Sequence, residues 1–196
     1  MRFFCIASIL LGSVLSVHGQ GNKNEYYNIV LPIKFDNKQY YLSDSYHPQD
    51  NYYKQEYIQK GESADKFSTM IIIDILIGNQ SAKEMAMQKV AEIEKIKKMN
   101  PVVRYELYEN PKIDEYMLDF LLSVSEGDRI SIVEWNVYRY TPYTDKSGKK
   151  GIMLFAYSWR GYGNDVTSFF NSLKKERTNY VNMISGYQLP VIQLNK

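Results

Sequence analysis

Between Tyr116 and Arg160 three stretches of alternating residues follow one another with almost no chain between them. Tyr116 to Val124 turns at Glu126-Gly127-Asp128 into Ile130 to Tyr140, and a loop through Gly148 leads into Ile152 to Arg160. A period of two over runs this long reads as strands, and strands joined by turns this short pair antiparallel.

The remaining elements are read around that core. Ile29, Leu31, Ile33 and Phe35 alternate about Pro32 and Lys34, the pattern of a short edge strand. Residues 36–57 are rich in Tyr, Asn and Asp and read as turns and short strands. Phe67 to Ile77 is apolar on both faces, with Ile71-Ile72-Ile73 and Ile75-Leu76-Ile77 interrupted by Asp74, as in a central strand covered on two sides, and Val103 to Glu109 is a further strand. Ser81-Ala82-Lys83-Glu84 forms a capping box ahead of a stripe at Ala82, Met85, Ala86, Val90, Ile93 and Ile96, which ends at Asn100-Pro101. A second stripe runs from Val166 through Phe169, Phe170, Leu173, Tyr180, Val181 and Ile184. The expectation is an α+β single-domain sandwich over residues 29–196. It would hold a twisted antiparallel sheet of about six strands flanked by two long helices, 81–99 and 165–185, one on each face.

The amino terminus has the layout of a secretory signal peptide over residues 1–19. Met1-Arg2 is basic, Phe3 to Leu11 is apolar, and Val17 and Gly19 stand at −3 and −1 from Gln20. The apolar run is too short to span a membrane, and no cysteine follows it to serve as a lipobox. Cleavage would remove Cys5, the sole cysteine, and His18, leaving His47 as the only imidazole. A periplasmic or secreted chain without disulfides fits that reading. Residues 20–28 are polar and read as a flexible leader.

The order of elements resembles the PsbP/DcrB-like group of exported α/β/α sandwiches over roughly residues 50–185. The matching phrases are Gly61-Glu62 before the long apolar strand, Asp119-Phe120-Leu121-Leu122, and the run Glu134-Trp135-Asn136-Val137-Tyr138-Arg139-Tyr140. Phe155-Ala156-Tyr157-Ser158 with Arg160, and Phe169 leading to Glu176-Arg177, complete the pattern. The resemblance implies that sandwich fold and a non-catalytic accessory or binding role.

Few residues offer chemistry. With 24 Lys+Arg against 22 Asp+Glu, the formal charge of +2 lacks the dense basic face of a nucleic-acid binder. Zinc-type His/Cys clusters are absent from the sequence, and Asp44, Asp50 and Asn51 do not match a calcium loop, so no metal or other cofactor is implied. Gly161-Tyr162-Gly163 lacks the third glycine of a dinucleotide loop and is followed by Asp165, so its glycines read as a tight turn. His47 reads as an exposed loop residue, and Lys174, Lys175 and Arg177 as a solvated helix face. Tyrosine is the bias that stands out: 18 in all, with doublets at Tyr26-Tyr27, Tyr40-Tyr41 and Tyr52-Tyr53. A doublet in extended chain sends one ring to each side, which makes Tyr40 and Tyr52 candidate contacts for a protein, envelope or glycan partner.

Symmetric pairing about Glu126-Gly127 puts Asp119 opposite Glu134, and pairing about Lys146 puts Glu134 opposite Ser158. The result is a polar line of Asp119, Glu134, Asn136, Ser158 and Arg160 on one face of the sheet. Leu118, Phe120, Val133, Trp135, Phe155, Tyr157 and Trp159 fall on the other. Such a line is either a buried structural network or a cleft in which these groups bind a polar ligand or do acid–base work. Three functional classes follow: an exported non-catalytic binding or accessory protein of the bacterial envelope, a carboxylate-based hydrolase using Asp119 and Glu134, and an immunity-type protein that blocks another protein.

Overall fold

The computed structural model describes residues 23–195. The signal-peptide expectation for residues 1–19, with Cys5 and His18, lies outside the described residues. Eight strands form one antiparallel sheet: β1 Ile33–Phe35, β2 Lys38–Gln49, β3 Tyr52–Gln59, β4 Thr69–Ile77, β5 Arg104–Asn110, β6 Glu115–Glu126, β7 Arg129–Thr144 and β8 Lys150–Tyr162. Two helices, α1 Ala82–Lys97 and α2 Val166–Gly186, complete the fold. The spatial order is β1-β2-β3-β4-β8-β7-β6-β5, with β1 and β5 at the two ends and no closure into a barrel.

The expected sandwich built on about six strands is corrected to this β-rich, eight-stranded sheet. The miscounted segment is residues 36–57, read as turns and short strands but folded as the long pair β2 and β3. Its tyrosines are strand formers. Its breaker, Pro48, is accommodated because the register shifts between Tyr46 and Gln49. At the other end of the estimate, β1 keeps only three of the seven residues expected, starting just after the cis bond Leu31–Pro32.

Both helices form where their stripes place them. Ser81 Oγ accepts from Glu84 N at 3.2 Å while Ser81 N donates to Glu84 Oε2 at 2.8 Å, closing the capping box. Ala82, Ala86, Val90 and Ile93 of α1 pack with Leu118, Phe120 and Tyr138 on one face of the sheet. Phe169, Leu173, Val181 and Ile184 of α2 pack with Val133, Trp135 and Tyr157 on the other. Gly161 is a residue of β8 and not of a turn. A Cβ there would lie 2.9 Å from that of Phe169, so the glycine sets how closely α2 lies on the sheet. Gly163, at φ +48°, begins the 3-10 turn that leads into α2. Tyr27, in the segment read as a flexible leader, is fully buried, with its hydroxyl donating to Ile73 O at 2.8 Å. No helix among the described residues is long and apolar enough to cross a membrane.

Candidate functional site

The polar line inferred from the hairpins divides between the two faces of the sheet. Glu134 pairs with Arg160 and Asn136 with Ser158 across β7 and β8. Across β6 and β7, however, Leu122 and not Asp119 faces Glu134, and Asp119 faces Val137. Directly paired residues share a face, so Asp119 points to the α2 side, whereas Glu134 points with Leu122 to the α1 side. Leu118 and Phe120, expected opposite Glu134's face, lie on it.

The α1-side group is sealed. Glu134, Asn136 and Ser158 have no exposed surface and Arg160 has 3%. Arg160 Nε donates to Glu134 Oε2 at 2.7 Å, its Nη2 reaches the same oxygen, and the guanidinium lies 4.0 Å from the Phe67 ring centre. Ser158 Oγ donates to Asn136 Oδ1 at 2.5 Å. A charge pair buried this fully is a fastening of β7 to β8 and offers no approach to a substrate.

Asp119 is met by a residue assigned to the solvated face of its helix. Arg177 Nη2 donates to Asp119 Oδ1 at 2.8 Å and to Glu106 Oε2 at 2.6 Å, and its Nε lies 2.7 Å from Asp119 Oδ2. Asp119 and Glu106 are directly paired on β6 and β5, so one guanidinium spans two adjacent strands. Burial raises the Asp119 carboxyl, and Arg177 opposes that rise; Arg177 also holds Glu106 below the usual carboxylate range. The Tyr108 hydroxyl, 3.5 Å from Arg177 Nη2, is pushed up to about 12 by burial and by the Asp119 charge. The signal for Arg177 was its position four residues from both Leu173 and Val181, inside the apolar stripe.

Beside this cluster a groove of about 270 Å³ runs between α2 and the β5–β6 hairpin. Tyr108, Glu109 and Asn110 line it from β5, Glu115 and Met117 from β6, and Val181, Asn182 and Ser185 from α2. Glu115 also accepts from Arg139 Nη2 at 2.8 Å, and Arg139 Nη1 donates to the carbonyls of Ile184 and Tyr187. The cation thereby satisfies the carbonyl end of α2 while fixing one wall of the groove.

A protein-family model matches residues 27–189. The chain belongs to that family. The matched span opens at buried Tyr27 and takes in the entire sheet, both helices and the groove. No curated protein and no solved structure matches the chain.

Of the candidate tyrosines, Tyr40 lies inside the molecule and Tyr52 is half-buried. Tyr40 is fully buried and shares a hydrogen bond with Thr69 Oγ1 at 3.0 Å, so its ring contacts the core. Its neighbour Tyr41 is the exposed member of that doublet. Tyr52 donates to Asp74 Oδ2 at 2.9 Å. His47 lies in β2, stacked on Tyr53 at 4.0 Å, with Nδ1 2.9 Å from the Tyr52 carbonyl.

Asp74, the polar interruption of the apolar run 70–77 in β4, has a physical consequence of its own. Its Oδ1 is buried and has no hydrogen-bond partner among the described residues. Burial pushes the carboxyl up to about 6, against the attraction of Lys54 and the bond from Tyr52. The native state therefore holds a proton that the unfolded chain, near its ordinary value of about 3.9, has released. Stability is highest below about pH 4 for this group and falls as pH rises towards 6, because the native state binds more protons across that window. Since part of the side chain reaches solvent, Asp74→Asn is expected to add about 1–3 kcal/mol at pH 7.5 and little at pH 4. Urea midpoints at the two pH values check this, and a variant less stable than wild type at pH 7.5 would refute it.

Proposed function

We propose that the protein is an exported, non-catalytic binding protein whose contact site is the groove between α2 and the β5–β6 hairpin. The partner is a protein or another component of the bacterial envelope, in keeping with the accessory role that the PsbP/DcrB-like resemblance implies. The observation that carries this reading is the separation of the two acids. Asp119 is held by Arg177 on one face and Glu134 by Arg160 on the other, so the sheet itself stands between them. A hydrolase working through a pair of carboxyl groups needs both across one bond, within reach of a common substrate. The groove offers instead an aromatic ring, two amides, a hydroxyl and carboxylates around an apolar floor of Met117 and Val181, the composition of a small recognition site.

Protein recovered from its native host is expected to begin at Gln20 by intact mass, and a chain retaining Met1 would overturn the export part. For the site, Ser185→Arg places a long side chain from exposed Ser185 of α2 into the groove, away from the Glu134–Arg160 and Asp119–Arg177 pairs. It should abolish recovery of the envelope partner obtained with wild type while leaving the melting temperature unchanged. Undiminished recovery would move the site elsewhere.

A further inference from the structure

The two ends of the sheet are built differently. At one end β1 has three residues and follows a proline, which is how natural sheets blunt an edge. At the other end β5 pairs with β6 through all seven of its residues without a register shift, and it has no proline, lysine or bulge. Among the described residues it has a strand neighbour on one side only. Arg104, Glu106, Glu109 and Asn110 are exposed along it. An unblunted edge of this length presents a row of free backbone donors and acceptors, the template on which an extended peptide adds as a further strand.

We infer that β5 is a docking strand for an extended basic peptide segment, which extends the sheet at this end and sends one side chain towards the adjoining groove. This rests on the binding-protein reading and names the partner of the same site. The charge of the edge selects the occupant. Glu106 and Glu109 lie on the strand. Glu109 is exposed with no ion-pair partner among the described residues, and Arg177, shared between Glu106 and Asp119, neutralises only one of those two carboxylates. The one cation of β5 does not offset them at the edge, because the Arg104 guanidinium is folded back onto the carbonyls of Pro101 at 2.6 Å and Val103 at 2.7 Å. A second copy of β5 would bring two more glutamates to the same line, and like charges across a strand pair are unfavourable. A strand with Lys or Arg at alternate positions meets the edge with opposite charge. Its backbone supplies the hydrogen bonds, and the groove receives a long side chain next to Asn182 and Ser185.

The test uses two capped peptides of about nine residues, one alternating Lys with Val and the other Glu with Val, a length that covers the strand. The Lys peptide should slow amide hydrogen exchange over residues 104–110 in the full protein, and its affinity should fall severalfold on raising salt. Glu109→Lys, at an exposed position away from both buried ion pairs, should weaken it by about tenfold with the melting temperature unchanged. Equal binding of the Glu peptide, protection outside β5, or no binding of either peptide at millimolar concentration would overturn the inference. So would a concentration-dependent dimer protected over 104–110 without peptide. If Ser185→Arg still abolishes the envelope partner while neither peptide protects β5, the binding reading stands and the strand-addition inference alone fails.

Discussion

Glu134→Gln should destabilise the fold by about 3–5 kcal/mol, because it leaves the buried Arg160 guanidinium without its carboxylate. The substitution nearly preserves shape, so the loss reports charge and not packing. The double variant Glu134→Leu with Arg160→Met removes both charges and should recover most of the stability, since an apolar pair of similar volume avoids the desolvation cost. Urea unfolding of the two variants and wild type measures this directly. A Glu134→Gln protein as stable as wild type would show that the pair is not the fastening its burial implies.

The second large effect belongs to the opposite face of the same strand. Trp135 has 1% of its surface exposed and sits among Val133, Val137, Tyr157 and the rings of α2, with Tyr180 at 6.2 Å between ring centres. Truncation to alanine opens a cavity that the sheet and the helix packed on it only partly close, at a cost of about 3–5 kcal/mol. Its indole Nε1 is buried without a partner among the described residues, so Trp135→Phe gives up no hydrogen bond there and should cost distinctly less than Trp135→Ala. An unchanged melting temperature in Trp135→Ala would invert the assignment of faces.

Those two neighbours show what could be read from the chain. Strand and helix identity followed from period and capping, and the β7–β8 hairpin sorted Glu134, Asn136, Ser158 and Arg160 together even though its centre was misplaced by one residue. The true turn runs from Thr144 to Lys150, so every pairing moved by two positions, and a shift of two leaves each side chain on its own face. The β6–β7 hairpin did not forgive its error. Its two-residue loop at Gly127-Asp128 again moved the pairing by two, but a bulge at Ser131 of β7, opposite Val124 and Ser125, added one more. That odd residue carried Asp119 to the far side of the sheet. No local signal announces a bulge in a run such as Arg-Ile-Ser-Ile-Val, whereas a turn is marked by its glycine. The groove was hidden for a different reason: its walls come from β5, β6 and α2, and only the tertiary packing brings them together.

The placement of β8 beside β4 has a bearing on how the chain reaches this structure. Thr69 pairs with Trp159 and Ile77 with Gly151, so the central seam joins segments separated by α1 and three intervening strands. Both sets of hairpins, β1 to β4 and β5 to β8, can close locally, but the seam between them forms only after a large loop is closed. Such non-local pairing slows folding to milliseconds or longer. Until β8 arrives, the Ile-rich edge of β4 stands open, a species prone to join another chain. A folding rate limited by that seam would be insensitive to changes in the β2–β3 hairpin and sensitive to those along Ile71, Ile73 and Phe155.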